Sequence, residues 1–223
     1  MGAYPVKEGL TGAQTIELLI KRVQTLGGQQ TGQFLVDCDT YASMSHQIGT
    51  GNQIGQRTLN LLHNSEYPAS SFALLEVPVN AAASEQRIMQ INLRLHPRRL
   101  KQSRLSLTTC LLKMAPVYTS KKIKIEAKGP RFELGDFIVK LGSVVMSQNF
   151  KGILIEVEYR PCIMADACWD LLMEFVQGIF GHNAVSAVPR TLQPRMKEIY
   201  TPLDTMHQYM DQFSAFRKAA GIR

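Results

Sequence analysis

With 223 residues, 45% of them apolar, and a mean hydropathy of −0.08, the chain has enough apolar material for a real core in water. No apolar run reaches the ~18 residues of a membrane helix, and the N-terminus lacks the basic-then-apolar order of a secretory leader, so neither is expected. The net charge of +7 suggests nucleic acid until it is located: Arg87, Arg94, Arg98, Arg99, Lys101 and Arg104 lie in one acid-free tract and supply six of the seven excess charges.

Thr11-Gly12-Ala13-Gln14 has the form of a capping box, and Ile16, Leu19, Ile20, Val23 and Leu26 follow at helical spacing until Gly27-Gly28 ends the run. The apolar face of this helix belongs either to the chain's own core or to a partner. Gly32 to Cys38 reads as a strand with Phe34, Val36 and Cys38 on one side. A polar, glycine-rich stretch from Ser43 to Gln56 reads as a surface loop. Its Gly49, Gly51 and Gly55 have the wrong spacing for a phosphate cradle, and no clear helix follows them. Thr58 to Leu62 and Ser71 to Leu75 are short strands around a polar turn at 63–68.

Residues 77–110 hold no single period for long and contain the basic tract. They read as an atypical basic insertion in an otherwise single domain spanning 1–223. A nucleic-acid or nuclear-targeting patch is the functional alternative. From Lys121 to Lys128 the chain alternates again. The most distinct pattern is Phe132 to Cys162, an apolar run to Met146 followed by Ile153, Ile155, Val157 and Tyr159 alternating with Glu156, Glu158 and Arg160. This predicts an antiparallel hairpin at the centre of a sheet, with its turn at Asn149 to Gly152. Asp166 then reads as an N-cap for a helix striped by Trp169, Leu172, Met173, Val176, Ile179 and Phe180. Thr201-Pro202-Leu203-Asp204 opens a last helix lined by Leu203, Met206, Met210 and Phe213. Strands and helices are segregated, which predicts an α+β fold with an antiparallel sheet or barrel, one helix before it and two after it.

Chemistry is sparse. Asp37-x-Asp39 and Glu156-x-Glu158 each put two carboxylates on one strand face. Inside a barrel such pairs could hold Mg²⁺ or Mn²⁺ for a triphosphatase-like phosphohydrolase of the tunnel type. Two pairs are few for such an enzyme, and solvated strand faces often alternate in charge. Cys38, Cys110, Cys162 and Cys168 show no Cys-x-x-Cys spacing, the five histidines fall in different elements, and no serine sits in a nucleophile elbow. No catalytic residue, metal or cofactor is expected. Trp169, Met206, Met210 and Phe213 are the candidate partner-interface residues, since methionine and aromatic stripes also suit adaptable contacts.

Several segments together resemble the Mediator subunit 20 family, the TATA-binding-protein-related-factor-proximal proteins, in a metazoan form. They are Asp37-Cys38-Asp39-Thr40-Tyr41, His63 to Pro68 with Phe72-Ala73-Leu74, Gly129 to Phe137 with Val139 to Gly142, Glu156 to Tyr159 with Pro161-Cys162, Cys168-Trp169 with Leu171-Leu172 and Glu174-Phe175, and Asp204-Thr205-Met206 with Gln208-Tyr209-Met210. The match departs at 77–110, where the family usually has a shorter segment. An insertion and a misplaced exon boundary both fit that departure. The resemblance implies a β-barrel flanked by helices and a non-enzymatic, nuclear role in the head module. It further implies a heterodimer with Mediator subunit 18, attachment through Mediator subunit 8, and relay of signals to RNA polymerase II and the TATA-binding protein. Direct DNA binding is not expected.

Overall fold

The computed structural model describes residues 1–43, 58–68, 70–80, 83–92, 118–181 and 187–221. The glycines at 49, 51 and 55 and the basic residues from Arg94 to Arg104 lie outside them. The elements are β1 (Gly2–Tyr4), α1 (Gly12–Thr25), β2 (Gln29–Ser43), β3 (Thr58–Asn64), β4 (Ser70–Asn80), β5 (Ala83–Asn92), β6 (Tyr118–Leu134), β7 (Phe137–Met146), β8 (Asn149–Tyr159), α2 (Ala165–Phe180) and α3 (Pro202–Ala219). The strands form one eight-stranded sheet in the order β1-β8-β7-β6-β2-β3-β4-β5. The α+β class is as the sequence predicts. The hydrogen-bond ladder ends at β1 and β5 among the described residues, so the barrel expected is in fact an open sheet.

The chain divides into two compact units, Met1–Leu35 with Glu126–Arg223, and Val36–Ile125. In the first, Thr11 accepts a hydrogen bond from the Gln14 backbone N–H, and the Gln14 side chain accepts one from the Thr11 N–H, closing the predicted capping box. Gly27 adopts φ +92°, the left-handed conformation that ends helices cheaply. Leu19 and Val23 of α1 are buried in a core with Phe132, Val139, Leu141, Ile153, Ile155, Val176, Ile179 and Phe180. Full burial of each such aliphatic side chain contributes about 1.5–3 kcal/mol. Leu26, expected on this face, is exposed beyond the last turn.

The β7–β8 hairpin is antiparallel, from Phe137↔Tyr159 to Met146↔Asn149. Its turn is not at Asn149 to Gly152, and the hairpin lies toward one end of the sheet rather than at its centre. Ser147 and Gln148 form the turn at φ +47° and +69°, the positive pair that a two-residue hairpin of matching twist requires. Lys151 is the extra residue of a bulge, since Val144 pairs with Gly152 but Val145 with Phe150. Gly152 is a glycine for another reason: a Cβ there would lie 2.5 Å from the Phe216 ring of α3.

That contact shows what covers the opposite face of the hairpin. Even-numbered β8 residues, read from the sequence as a charged and solvated row, lie under α3 at Gly152 and Glu156. The hairpin is therefore covered on both faces, with α1 and α2 on one side and α3 on the other.

In the second unit β3 pairs with β2 and β4, and β4 with β5, all antiparallel. Tyr41, Leu61 and Ala73 cluster with the half-buried Leu59 and Tyr118. Val36, Cys38, Leu62, Phe72 and Leu74 are fully buried. Thr40 donates to the buried Asn60 amide oxygen at 2.9 Å, so that polar pair is satisfied internally. Part of the segment expected to be an insertion is ordinary sheet: β4 runs on to Asn80, and β5 pairs with it from Asn92 to Ala83.

Candidate interaction surface and buried polar network

Asp37 is 1% exposed and ion-paired to the Lys124 ammonium at 2.8 Å, with His63 Nδ1 at 3.3 Å from its other oxygen. Glu156 is 7% exposed; Lys140, at 1%, donates to its Oε1 at 2.9 Å, and the Tyr209 hydroxyl donates to its Oε2. Glu158, two residues on, is exposed. Asp39, the neighbour of the buried Asp37, is half-buried, so the two members of each carboxylate pair meet different surroundings. Both oxygens of Glu156 already hold protein donors, one of them the Lys140 ammonium, whose charge opposes a second cation there. Among the described residues, no group of three or more His, Cys, Asp or Glu side chains converges as metal ligands would.

A further polar cluster lies along α3. Gln208 donates to the Tyr200 hydroxyl at 2.9 Å, and that hydroxyl lies 2.9 Å from the Thr205 hydroxyl. Burial pushes the Tyr200 phenol well above its usual value. Asp204 accepts from the Thr201 backbone N–H at 2.8 Å, closing a capping box at the predicted helix start, and also from Arg195, which is paired with Glu198 at 2.8 Å. The last helix is thus fixed at its start by charge and along its length by packing.

Burial holds His63 and His207 below the ordinary imidazole value of 6.5. In the unfolded chain both take up a proton near that value, whereas in the folded chain they do so only at lower pH. The unfolded state therefore binds more protons below about pH 6.5. Unfolding free energy is expected to be steady above this and to fall as pH drops from 6.5 toward the lowered folded values. Urea titrations from pH 8 to 5 check this. Replacing His63 by Gln should flatten the decline, and an unchanged slope would contradict the assignment.

Of the interface candidates, Met206, Met210 and Phe213 are buried at 0%, 1% and 0% exposure. They belong to this chain's own core, because α3 lies against the sheet through that face. Trp169 is half-buried and lines a shallow cleft with Gly2, Tyr4, Ile155, Val157, Leu172, Met173 and Val176. β1, which the sequence did not reveal, forms one wall of this cleft by pairing with β8 at Ile153 to Ile155. Three residues are too few to show a period.

Val6, Leu18, Leu26 and Phe150 are exposed apolar side chains elsewhere in this unit, and four more lie near the start of α2. Ile163 and Ile199 are each 61% exposed, Leu171 46% and Met164 44%. The backbone holds three of them side by side: Met164 bridges Ile199, the Tyr200 N–H donates to the Ile163 carbonyl at 2.7 Å, and the Asp166 N–H to the Met196 carbonyl at 2.9 Å. Those bonds also correct the expected cap, since Met164 is the N-cap residue and Asp166 sits in the first turn with its N–H satisfied by the 195–200 segment. Met164 and Leu171 are seven residues apart, on one face of the helix. Sequence alone did not single out Ile163 or Ile199, each a lone apolar residue outside any periodic run.

The profile of the family described as the TATA-binding related factor (TRF) of subunit 20 of the Mediator complex matches residues 2–214. The chain belongs to the Mediator subunit 20 family. The match spans residues 77–110 as well as the segments on either side. The relatives bear the name Mediator of RNA polymerase II transcription subunit 20. The chain is 46% identical to the Aedes aegypti protein over 225 residues (96% of this chain, 92% of that one). Identity to the Drosophila melanogaster protein is 39% (96% and 84%), and to the human protein 37% (98% and 96%). Among solved structures, the PH1012 protein of Pyrococcus horikoshii is similar at a TM-score of 0.41 and 10% identity, covering 83% of this chain and 93% of that one, too weakly to carry an argument. Membership places the buried Lys140–Glu156–Tyr209 network and the α2 patch in a family named for a subunit of a larger complex. No helix among the described residues is long and apolar enough to cross a membrane.

Proposed function

We propose that the chain is a structural, non-catalytic subunit of the nuclear Mediator head module. It forms a heterodimer with subunit 18, is attached to the head through subunit 8, and helps relay regulatory signals to RNA polymerase II and the TATA-binding protein. Support for membership in Mediator, and for a role in RNA polymerase II transcription, comes from the family match across nearly the whole chain. The relatives carry the name of a Mediator subunit, which is not an enzyme's name.

The apolar patch of Ile163, Met164, Leu171 and Ile199 is the face through which the chain docks. Exposed aliphatic residues held together on fixed backbone favour association by removing apolar surface from water. Interfaces of obligate complexes typically bury ~2,000 Å² or more and are more apolar than ordinary surface.

Tagged protein recovered from nuclear extract is expected to bring other head subunits with it, and co-expression with subunit 18 is expected to improve its solubility. Replacing Leu171 and Ile199 together by Glu should reduce recovery of the partner while leaving the circular dichroism spectrum intact. A monodisperse chain with no affinity for subunit 18 would overturn the heterodimer. Partner binding unaffected by the double substitution would move the interface elsewhere.

A further inference from the structure

Two of the four cysteines meet where β8 leads into α2. The Cys162 thiol donates to the Met164 carbonyl oxygen at 3.2 Å, and the Cys168 thiol lies 3.5 Å from the same oxygen and 3.8 Å from that of Ala165. Both side chains are partly open to solvent, whereas Cys38 is buried. One acceptor shared by the two sulfurs holds the pair close to each other at the start of α2. They stand six positions apart along the chain, Cys162 in the connection after β8 and Cys168 near the start of α2.

We propose that Cys162 and Cys168 form a paired-thiol site that closes to a reversible intrachain disulfide on reaction with a small-molecule disulfide such as oxidised glutathione. In the first step the Cys162 thiolate attacks one glutathione sulfur, forming a mixed disulfide and releasing a glutathione thiolate. Cys168 then loses its proton to solvent and attacks the Cys162 sulfur, releasing the second thiolate. The two cysteines are oxidised by two electrons, one glutathione disulfide is reduced to two glutathiones, and both released thiolates take up protons.

The order follows from environment. Burial and the neighbouring Cys162 raise the Cys168 thiol to about 11, against the lowering that a place near a helix N-terminus would otherwise bring. Cys168 is therefore the resolving rather than the attacking sulfur, and closure should quicken as pH rises. Closure would also remove both S–H donors from the Met164 carbonyl, at the N-cap of α2. Cys168 falls between Met164 and Leu171 at helical spacing, so the chemistry sits inside the exposed apolar patch. In a reducing nucleus the resting state is the dithiol, and the disulfide is a response to oxidation.

The native full-length protein, incubated with reduced and oxidised glutathione at graded ratios, acid-quenched, alkylated and digested with trypsin, decides the matter. Both cysteines fall in one tryptic peptide, because the nearest cleavable positions are Lys151 and Arg190. The expected product is that peptide with two hydrogens fewer and no alkyl label, restored to the doubly alkylated form by dithiothreitol. Cys168→Ser should instead accumulate glutathione on Cys162, with helix content unchanged. Persistent glutathione on either sulfur of the wild-type protein, or two fully alkylated thiols at every ratio, would overturn the pairing.

Discussion

Lys140→Ala is expected to destabilise the fold by about 3–5 kcal/mol, the usual cost of leaving one charge of a buried pair uncompensated. Lys140 and Glu156 face each other across the β7–β8 ladder at 2.9 Å, each less than a tenth exposed. Truncation would leave the Glu156 carboxylate under α3 with its Tyr209 bond and without its ammonium. Tyr209→Phe keeps the ring in the core and removes only the hydroxyl, so its cost should be smaller, about 1.5–3 kcal/mol for a hydrogen bond to a charged group.

Replacing Lys140 by Met and Glu156 by Leu together removes both desolvation penalties, and is expected to be close to neutral or stabilising by about 1–4 kcal/mol. Urea unfolding of the two single variants and the double variant forms a thermodynamic cycle that isolates the pair. A loss below about 1 kcal/mol for Lys140→Ala would mean the site is more hydrated than its burial implies. The same cycle bears on function. If the pair serves architecture alone, the stable double variant should retain full partner binding.

The second large effect concerns backbone contact. A Cβ at Gly129 would lie 2.0 Å from the Leu141 carbonyl oxygen and 3.0 Å from its carbon, all backbone of the adjoining strand. Neither can yield without spreading the sheet, so Gly129→Ala is expected to cost about 3 kcal/mol or more, at or above the upper end of ordinary overpacking. At Gly152 the obstacle is the half-buried Phe216 ring, which can turn at some loss of packing; about 1–2 kcal/mol is expected. At Gly12 it is the exposed ring of Phe150, which can swing into water, so Gly12→Ala should change stability little. The rank order is the test, read by thermal or urea unfolding of the three variants. A Gly129→Ala protein as stable as the wild type would mean the strands can part more easily than a hydrogen-bonded ladder allows.

The capping box of Thr11 with Gln14 was legible because its partners lie three residues apart, and the helix start at Thr201-Pro202 was legible from equally local signals. The alternation in β8 was legible for the same local reason. β5 escaped notice because Arg87, Gln90 and Asn92 interrupt the apolar residues around them, and because the pairing that makes it a strand is with β4. The β7–β8 turn was misplaced at a glycine. The positive φ values fall on Ser147 and Gln148, while Gly152 serves close packing against a helix. Trp169 is half-buried at the cleft beside β1, whereas Met206, Met210 and Phe213 form a stripe that is the same in sequence whether it meets a partner or the chain's own sheet.

What the sequence determined by itself is the class of fold, the two well-capped helices, most strands and the family, because capping, period and motif are properties of neighbours along the chain. Only the tertiary structure decided which faces are inside. Glu156 looks like part of a solvated row until Tyr209, 53 residues further on, descends to hydrogen-bond the carboxylate. Ile163 and Ile199 look incidental until the backbone sets them beside Met164. Burial is a relation between segments distant in sequence, and a local pattern carries no record of what will come to lie against it.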